Sequence, residues 1–396
     1  MSTKKKILII TPRFPYPVIG GDRLRIYEVC KELAKFYSLT LISLCEYKSE
    51  LNMSIPNDNV FTEVHRVFLP KWKSFFNTAI FFLTKTPLQV SYYKSRRLQK
   101  IINQRVDEYD LVIPHLIRVA EFVKNIKTHK IIEMTDAISM NYSRVSKIKN
   151  KSGLKGLIFK IENRRLKSYE KQIAKHFNYT ILVSQYDKDF LFKEEKDLYD
   201  RSLVCSNGVD LSKLPYQYNP GGYKLIFIGN MLSIQNLDAV YWFAEKVMPL
   251  LLIHGPYEFH VIGRISQDNI KKLSKYKNIV VTGAVDNIVD FTKDSLAGIC
   301  SVRLAAGVQN KILEYMALGI PVIATSTGLE GLHATPDKEI LVANTPEIYV
   351  EKILLLHNNH QFSKKISENG YVYVKGQHSW SNKLKPLCEK IHQLLS

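Results

Sequence analysis

The sequence predicts an α/β protein of two Rossmann-like domains, each a doubly wound parallel sheet. Three observations predict it. Short apolar runs such as Ile7–Ile10, Leu39–Leu44, Thr180–Val183 and Lys224–Ile228 lead into turn residues and then helix-length segments, the alternation of parallel βα units. A strand–turn–helix opening occurs twice, at Lys6 and at Lys224, on either side of a Pro/Gly/Tyr-rich stretch from Pro215 to Tyr223. The 396 residues are enough for two cores of ordinary size.

Composition narrows the class. An apolar fraction of 45% with 23% charged residues is that of a soluble globular chain. Five scattered cysteines without CxxC or Cys/His spacing argue against a disulfide framework and against zinc. Lys4–Lys6 precede an apolar run too short for a signal peptide, and nowhere do roughly 18 apolar residues run together. A cytosolic location is therefore expected. The charge is uneven: residues 1–200 hold 36 Lys+Arg against 21 Asp+Glu, or +15, and residues 201–396 hold 20 against 16, or +4. Between Arg144 and Lys175 eleven basic residues stand against Glu162 and Glu170, with apolar residues interleaved at near-helical spacing. A basic amphipathic helix suited to an anionic membrane surface is expected there. A solvated surface helix is the plainer alternative, and nucleic acid the poorest, since no recognised binding motif accompanies the charge.

In chain order, the first strand is followed by the loop TPRFPYPVIGGD and a helix from about Arg23. Gly20 and Gly21 allow the backbone to approach a ligand, and Arg23 and Arg25 are candidate cations beside it. Strands follow at Leu39–Leu44 and within 59–68. The segment KWKSFFNTAIFFLTKTPLQVSYY, Lys71–Tyr93, sets aromatic residues between lysines. It reads either as an interfacial segment that dips into a headgroup region or as part of the core. The strand 110–114 ends at His115, and the strand 130–134 delivers Thr135 and Asp136, so both side chains are expected at the carboxyl ends of their strands, where ligands sit in such sheets. A histidine there suits a hydroxyl hydrogen bond or proton relay. The second domain repeats the pattern, with Gly229 and Asn230 turning after its first strand, further strands at 259–262 and 279–282, and Val285 just beyond.

The most informative stretch is RLAAGVQNKILEYMALGIPVIATSTGLEGL, from Arg303 to Leu332. Ile312, Leu313, Met316 and Ala317 recur at helical spacing while Gln309, Lys311 and Glu314 fall on another face; Gly319 and Pro321 end the helix, and 322–324 form a buried strand. A helix opening after Ala305, Ala306 and Gly307 exposes backbone N–H groups to an anion, here Val308, Gln309 and Asn310, with Arg303 and Lys311 adding full charges. Glu314, one turn in, suits two hydroxyl groups. An ordinary amphipathic helix with solvated charges is the competing reading.

This stretch, KILEYMALGIPVIATSTGLEGL above all, resembles the donor-binding segment of family 4 glycosyltransferases, retaining enzymes of the GT-B fold that use nucleotide sugars. The resemblance implies two Rossmann-like domains facing a cleft and a final helix crossing back. With the composition shift at Pro215–Tyr223 it sets boundaries at 1–208 for an acceptor-side domain, 209–222 for a linker that begins within the hinge-like NGVD run, 223–376 for a nucleotide-sugar domain, and 377–396 for the returning helix. It places Glu314 on the ribose, the Val281–Val285 segment on the base, Gly20, Gly21 and Arg23 by acceptor or donor phosphate, and Asp136 at the acceptor. The family's first donor glutamate falls at Ala306, a departure resembling an exopolysaccharide-associated subgroup. The usual Arg and Lys after the second domain's first strand are replaced by Asn230 and Gln235, which leaves Arg303 and Lys311 to meet the diphosphate.

The function implied is retaining, metal-independent transfer from a nucleotide diphosphate-sugar to an acceptor hydroxyl, with Arg303, Lys311, His115 and Asp136 nearest the chemistry. Metal independence takes the chain to lack a metal-binding Asp-x-Asp motif. No cofactor is expected beyond the donor substrate; the expected partners are the donor, a lipid-linked or glycan acceptor and, through the basic first half, an anionic membrane, with surface polysaccharide assembly at the cytoplasmic face as the setting. A sugar-nucleotide epimerase of the same fold, or a non-catalytic membrane-surface binding protein, are the alternatives.

Overall fold

The computed structural model describes residues 4–148, 154–219, 222–304 and 308–396. The chain divides into two units, residues 1–206 with 384–396, and residues 207–383.

The first unit is a seven-stranded sheet in the order β3-β2-β1-β4-β5-β6-β7, parallel throughout. Its strands are β1 (Lys6–Thr11), β2 (Ser38–Cys45), β3 (Glu63–Phe68), β4 (Leu111–Pro114), β5 (His129–Thr135), β6 (Tyr179–Leu182) and β7 (Ser202–Val204). The central strands are apolar because helices cover both faces, and Ile7, Leu8, Ile9 and Ile10 are fully buried. Strand order reverses between β1 and β4, which makes their carboxyl ends the switch point where such sheets bind ligands. Helix α1 (Gly21–Ala34) starts at that end. Helices α2 (Lys71–Ile80), α3 (Leu88–Tyr92) and α4 (Leu154–Ala174) follow. The final helix, α6 (Trp380–Leu395), contributes residues 384–396 to this unit, burying Leu384, Leu387 and Ile391.

The expected single helix over Arg144–Lys175 is instead two, Ile138–Ile148 and α4, and 149–153 lie outside the described residues, as do the side chains of 144–156. On α4 the two acids of this stretch, Glu162 and Glu170, are buried along with Leu166, Ile173 and Ala174, whereas the apolar Leu157 and Ile161 are exposed.

The second unit is a six-stranded parallel sheet in the order β10-β9-β8-β11-β12-β13, with β8 (Lys224–Ile228), β9 (Glu258–Ile262), β10 (Ile279–Gly283), β11 (Ala297–Cys300), β12 (Val322–Ala324) and β13 (Leu341–Val342). Here order reverses between β8 and β11. Helix α5 (Asn310–Leu318) packs on β11 and β12 and ends at Gly319, left-handed at φ 78°. The close fit of α5 to the sheet rests on Gly298, where a Cβ would lie 2.4 Å from the Tyr315 ring. Gly263, just past β9, has φ 130°, and a Cβ there would lie 1.9 Å from the carbonyl oxygen of Gly229. Gly263→Ala is accordingly expected to cost about 2 kcal/mol or more in a urea melt, because both the backbone conformation and the turn it abuts must give way.

Candidate functional site

In the second unit, the turns after β8 and β9 are locked together. Gly229 N–H donates to the Ile262 carbonyl at 3.0 Å and Met231 N–H to that of Arg264 at 2.8 Å, while Gly263 N–H donates to Gly283 at 2.8 Å. Ser233 caps the helix Ile234–Trp242, which carries Asn236 to this rim; its amide Nδ2 donates to the Asn230 carbonyl at 3.1 Å. Asn236 Oδ1 in turn accepts from Lys311 Nζ at 2.8 Å. Lys311 also reaches Gln309 Oε1 at 3.4 Å and lies 4.7 Å from the centre of the Phe227 ring. Gly229, Asn230, Gln309 and Lys311 thus meet around Asn236 at the β8–β11 switch point.

Lys311 is 7% exposed, and every hydrogen-bond partner it has among the described residues is neutral. Burial pushes its pKa down, opposed by Cys300 and Glu314. A buried ammonium matched only by amides and an aromatic face is a costly arrangement without an anion. It sits in the first turn of α5, whose N-cap residue Gln309 makes no capping bond with its side chain. N–H groups at a helix start and a buried cation therefore point to the same anion site. Asn310 is held by Asn207 Nδ2 at 2.7 Å, and Val308 is buried against the core. Glu314, half-buried one turn along α5, has no hydrogen-bond or ion-pair partner among the described residues. Burial raises its pKa and Lys311 lowers it. Val285, beyond β10, is half-buried and packs on the core. Gly307, expected in the anion loop, lies with Ala305 and Ala306 outside the described residues.

Arg303 differs from the expectation of a cation open to a diphosphate. Its Nη2 bonds both carboxylate oxygens of Asp238, at 3.0 and 2.9 Å, and its guanidinium lies 5.4 Å from the centre of the Trp242 ring. Asp238 is on the same helix as Asn236, and nothing in the local sequence announces this long-range pair. Of the two expected cations, Arg303 is ion-paired to a carboxylate and Lys311 is not, among the described residues.

In the first unit, His115, Glu133 and Arg25 form a buried chain at the ends of β4 and β5. His115 Nδ1 lies 2.5 Å from Glu133 Oε2, Arg25 Nε donates to Glu133 Oε1 at 3.2 Å, and the Thr135 hydroxyl donates to Glu133 Oε2 at 2.8 Å. Burial alone pushes the Glu133 carboxyl up, but Arg25, His115 and Thr135 together outweigh it and hold the pKa at about 2. An ionised carboxylate only accepts, so His115 donates to it from Nδ1. Nε2 is buried without a partner among the described residues. Leu116 and Thr135, flanking this chain, both have φ 67°, and such strain in non-glycine residues clusters at ligand sites. Glu133 was not singled out from sequence, although a carboxylate inside the apolar strand KIIEM is itself a signal.

Asp136 is half-buried, and its pKa stands well above the ordinary value, through burial first and then through Asp187 and Glu133. Asp22, beside Gly21, is held below its ordinary value: burial opposes, and Arg13, His115 and Arg118 prevail. Gly20, at φ 101°, lets the chain turn into α1. Arg23 points away from this group, to Glu50 Oε1 at 3.1 Å. Arg13, which the sequence reading passed over, takes the position expected of Arg23, between Glu46, Tyr93 and Asp22 at 3.1, 3.2 and 3.4 Å. An Asp-x-Asp spacing does occur, at Asp187 and Asp189, contrary to the sequence reading. Asp187 is buried and accepts from Ala137 N–H at 2.8 Å and from the Ser184 hydroxyl, and Asp189 accepts from Gln185 and Tyr199. Both carboxylates are thus occupied in holding local structure.

Residues 222–359 match the family model described as glycosyl transferases group 1. The second unit carries a glycosyl transferases group 1 domain. Over the whole chain the sequence is 24% identical across 391 residues to a 44.6 kDa protein in the cps region of Klebsiella pneumoniae, covering 93% of this chain and 95% of that protein. It is likewise 24% identical to an uncharacterized glycosyltransferase of Methanocaldococcus jannaschii, with 94% of each covered. Among solved structures, sucrose-phosphate synthase of Thermosynechococcus elongatus superposes with a TM-score of 0.75 at 11% identity, covering 99% of both chains. HepE of Anabaena in complex with UDP and glucose gives 0.68 at 14% identity, covering 98% of this chain and 100% of that one. The fold is GT-B. Lys311 and Glu314 lie on α5 within the glycosyl transferases group 1 domain; His115 and Glu133 lie outside it.

Proposed function

We propose that the protein is a glycosyltransferase that moves a sugar from a nucleotide diphosphate-sugar to an acceptor hydroxyl with retention, without a metal ion, in the assembly of a surface polysaccharide or glycoconjugate. The observation that carries this reading is Lys311: a buried ammonium with neutral partners, beside the start of α5 at the switch point of the second sheet. In this assignment the diphosphate takes the place of the missing counter-ion. The N–H groups of Val308, Gln309 and Asn310 and the Lys311 ammonium then stabilise the charge that grows on the departing phosphate, an electrostatic contribution that is usually the largest in such reactions. Glu314, unpartnered one turn further, receives the ribose hydroxyls, and the Val281–Val285 segment lies by the base. HepE is seen with UDP and glucose, which makes a uridine nucleotide the first donor to test here.

The first unit is assigned the acceptor. In this assignment His115, whose ring is fixed by Glu133, bonds a sugar hydroxyl, with Asp136 and the Gly20–Gly21 turn at the same end of the sheet. The homologue in a cps region supports polysaccharide assembly, and a lipid-linked or glycan acceptor at the cytoplasmic membrane face fits that setting.

Glu314→Ala tests the ribose assignment. Losing hydrogen bonds to a carboxylate is worth about 1.5–3 kcal/mol, so donor affinity by titration calorimetry is expected to fall roughly 10- to 150-fold. The melting temperature should hold, because the side chain makes no hydrogen bond or ion pair among the described residues. Unchanged affinity would remove the ribose from Glu314.

A further inference from the structure

Helix α2 is built inside out. A surface helix ordinarily turns its apolar stripe inward, yet the buried residue of α2 is Ser74, while Trp72, Phe75 and Phe76 are 70, 65 and 60% exposed and Ile80 is exposed beside them. Phe82, in the turn that follows, is exposed as well. A second element, far away in sequence, extends the surface. Arg165 of α4 donates to the Phe82 carbonyl at 2.8 Å, and Glu162 of α4 accepts from Leu88 N–H at 2.6 Å. Leu157 and Ile161, both exposed, stand at eight and four residues before Arg165 and so share its face. Isolated apolar residues on a surface need no explanation, but a patch drawn from two elements marks a binding surface.

The charge around the patch selects the occupant. From Val64 to Val106 the chain has nine Lys+Arg and no Asp or Glu. Lys71 and Lys85 are exposed beside the aromatics, and Arg96, Arg97 and Lys100 are exposed on the helix Arg96–Arg105. Aromatic and aliphatic side chains amid these exposed cations match a bilayer boundary with anionic headgroups, where rings sit at headgroup depth and lysines reach phosphate. No helix among the described residues is long and apolar enough to cross a membrane. We infer that α2, the turn after it and the Leu157–Ile161 face of α4 together seat the first unit on an anionic bilayer surface.

The patch leads to the candidate acceptor residues. The Phe75 ring packs edge-on against Tyr92 of α3 at 5.8 Å, Tyr92 against Tyr93 at 5.0 Å, and the Tyr93 hydroxyl accepts from Arg13 Nε at 3.2 Å. A docked bilayer therefore lies a short aromatic bridge away from the carboxyl end of β1. Docking itself is independent of the donor assignment.

The test uses the full-length chain without nucleotide, floated with vesicles of phosphatidylcholine alone or with 30% phosphatidylglycerol, on the order of an anionic leaflet. Co-flotation with the anionic vesicles is expected, weakening with salt. Phe76→Ser with Ile80→Ser should reduce partitioning at least tenfold at an unchanged melting temperature, because both side chains are exposed. Lys364→Glu with Lys365→Glu, in the second unit, should leave binding intact. Trp72 fluorescence should be quenched by brominated lipid, and Trp72→Phe should abolish the quenching while retaining binding. Undiminished binding of the Phe76/Ile80 variant would overturn the proposal, as would absence of vesicle binding. Dimerisation by light scattering that the same variant abolishes, in a protein that ignores vesicles, would assign the patch to a second copy of the chain instead.

Discussion

Replacing Lys311 with methionine is expected to weaken nucleotide-sugar binding by roughly 10- to 150-fold, the equivalent of a lost charge-assisted hydrogen bond of about 1.5–3 kcal/mol, while stability stays level or rises. The two effects have opposite signs for one reason. A buried ammonium held by Asn236, Gln309 and the Phe227 ring is desolvated without an ion-paired carboxylate among the described residues, and replacing such a group by an apolar side chain of similar length is often neutral or stabilising. Its lowered pKa gives the same sign: the folded state holds the proton less tightly than the unfolded chain, so stability rises with pH as the proton leaves, a slope that the methionine variant lacks. A purely structural lysine would behave otherwise, losing stability on substitution and leaving donor affinity alone. Titration calorimetry and a urea melt on the same preparation separate the two.

The second large effect is expected at Glu133. Glu133→Gln leaves the Arg25 guanidinium buried without its carboxylate, and breaking a buried pair in this way costs about 3–5 kcal/mol. The sign with pH follows from the depressed pKa. With a folded pKa of about 2 against an ordinary 4.5, the stabilisation is complete above 4.5 and is lost as pH falls from there toward 2. The wild-type protein should thus lose stability steeply over that acid range, and the Gln variant should lose less, as read from urea midpoints at successive pH values. Glu170 acts in the opposite direction: burial raises it to about 7, so its contribution is present below 4.5 and fades as pH rises through 7. Because Glu133 also fixes His115, the variant retaining a fold should still show a reduced turnover whose pH profile is altered, which a loss of stability alone does not produce.

What was legible in the sequence follows how local each determinant is. The apolar runs of β1, β2, β8 and β12 and the Gly-Pro stop after α5 are written in consecutive residues, and the architecture follows from them. The candidate donor site was likewise readable, since Gln309, Lys311 and Glu314 are one turn apart on one helix. The partnerships were not. Arg303 meets Asp238 across 65 residues, Arg25 meets Glu133 across 108, and Arg13 rather than Arg23 lies by Tyr93 and Asp22; spacing carries no trace of such pairs. The short strand β13, two residues long, has too little apolar pattern to announce itself. The aromatic segment 71–93 was ambiguous for a related reason, because composition does not say which way a helix faces, and the exposure of Trp72, Phe75 and Phe76 decides it against the core.

The central claim is that a nucleotide diphosphate-sugar binds at Lys311 and Glu314. Its most direct test is a thermal-shift screen of UDP-, GDP-, ADP- and TDP-linked sugars, run in chelator on the wild-type chain and on Lys311→Met, since a ligand that binds the folded state alone raises the melting temperature by mass action. The account predicts that one nucleotide series raises the melting temperature of the wild type and barely moves that of the variant. No shift with any donor, or an equal shift in both proteins, would contradict it.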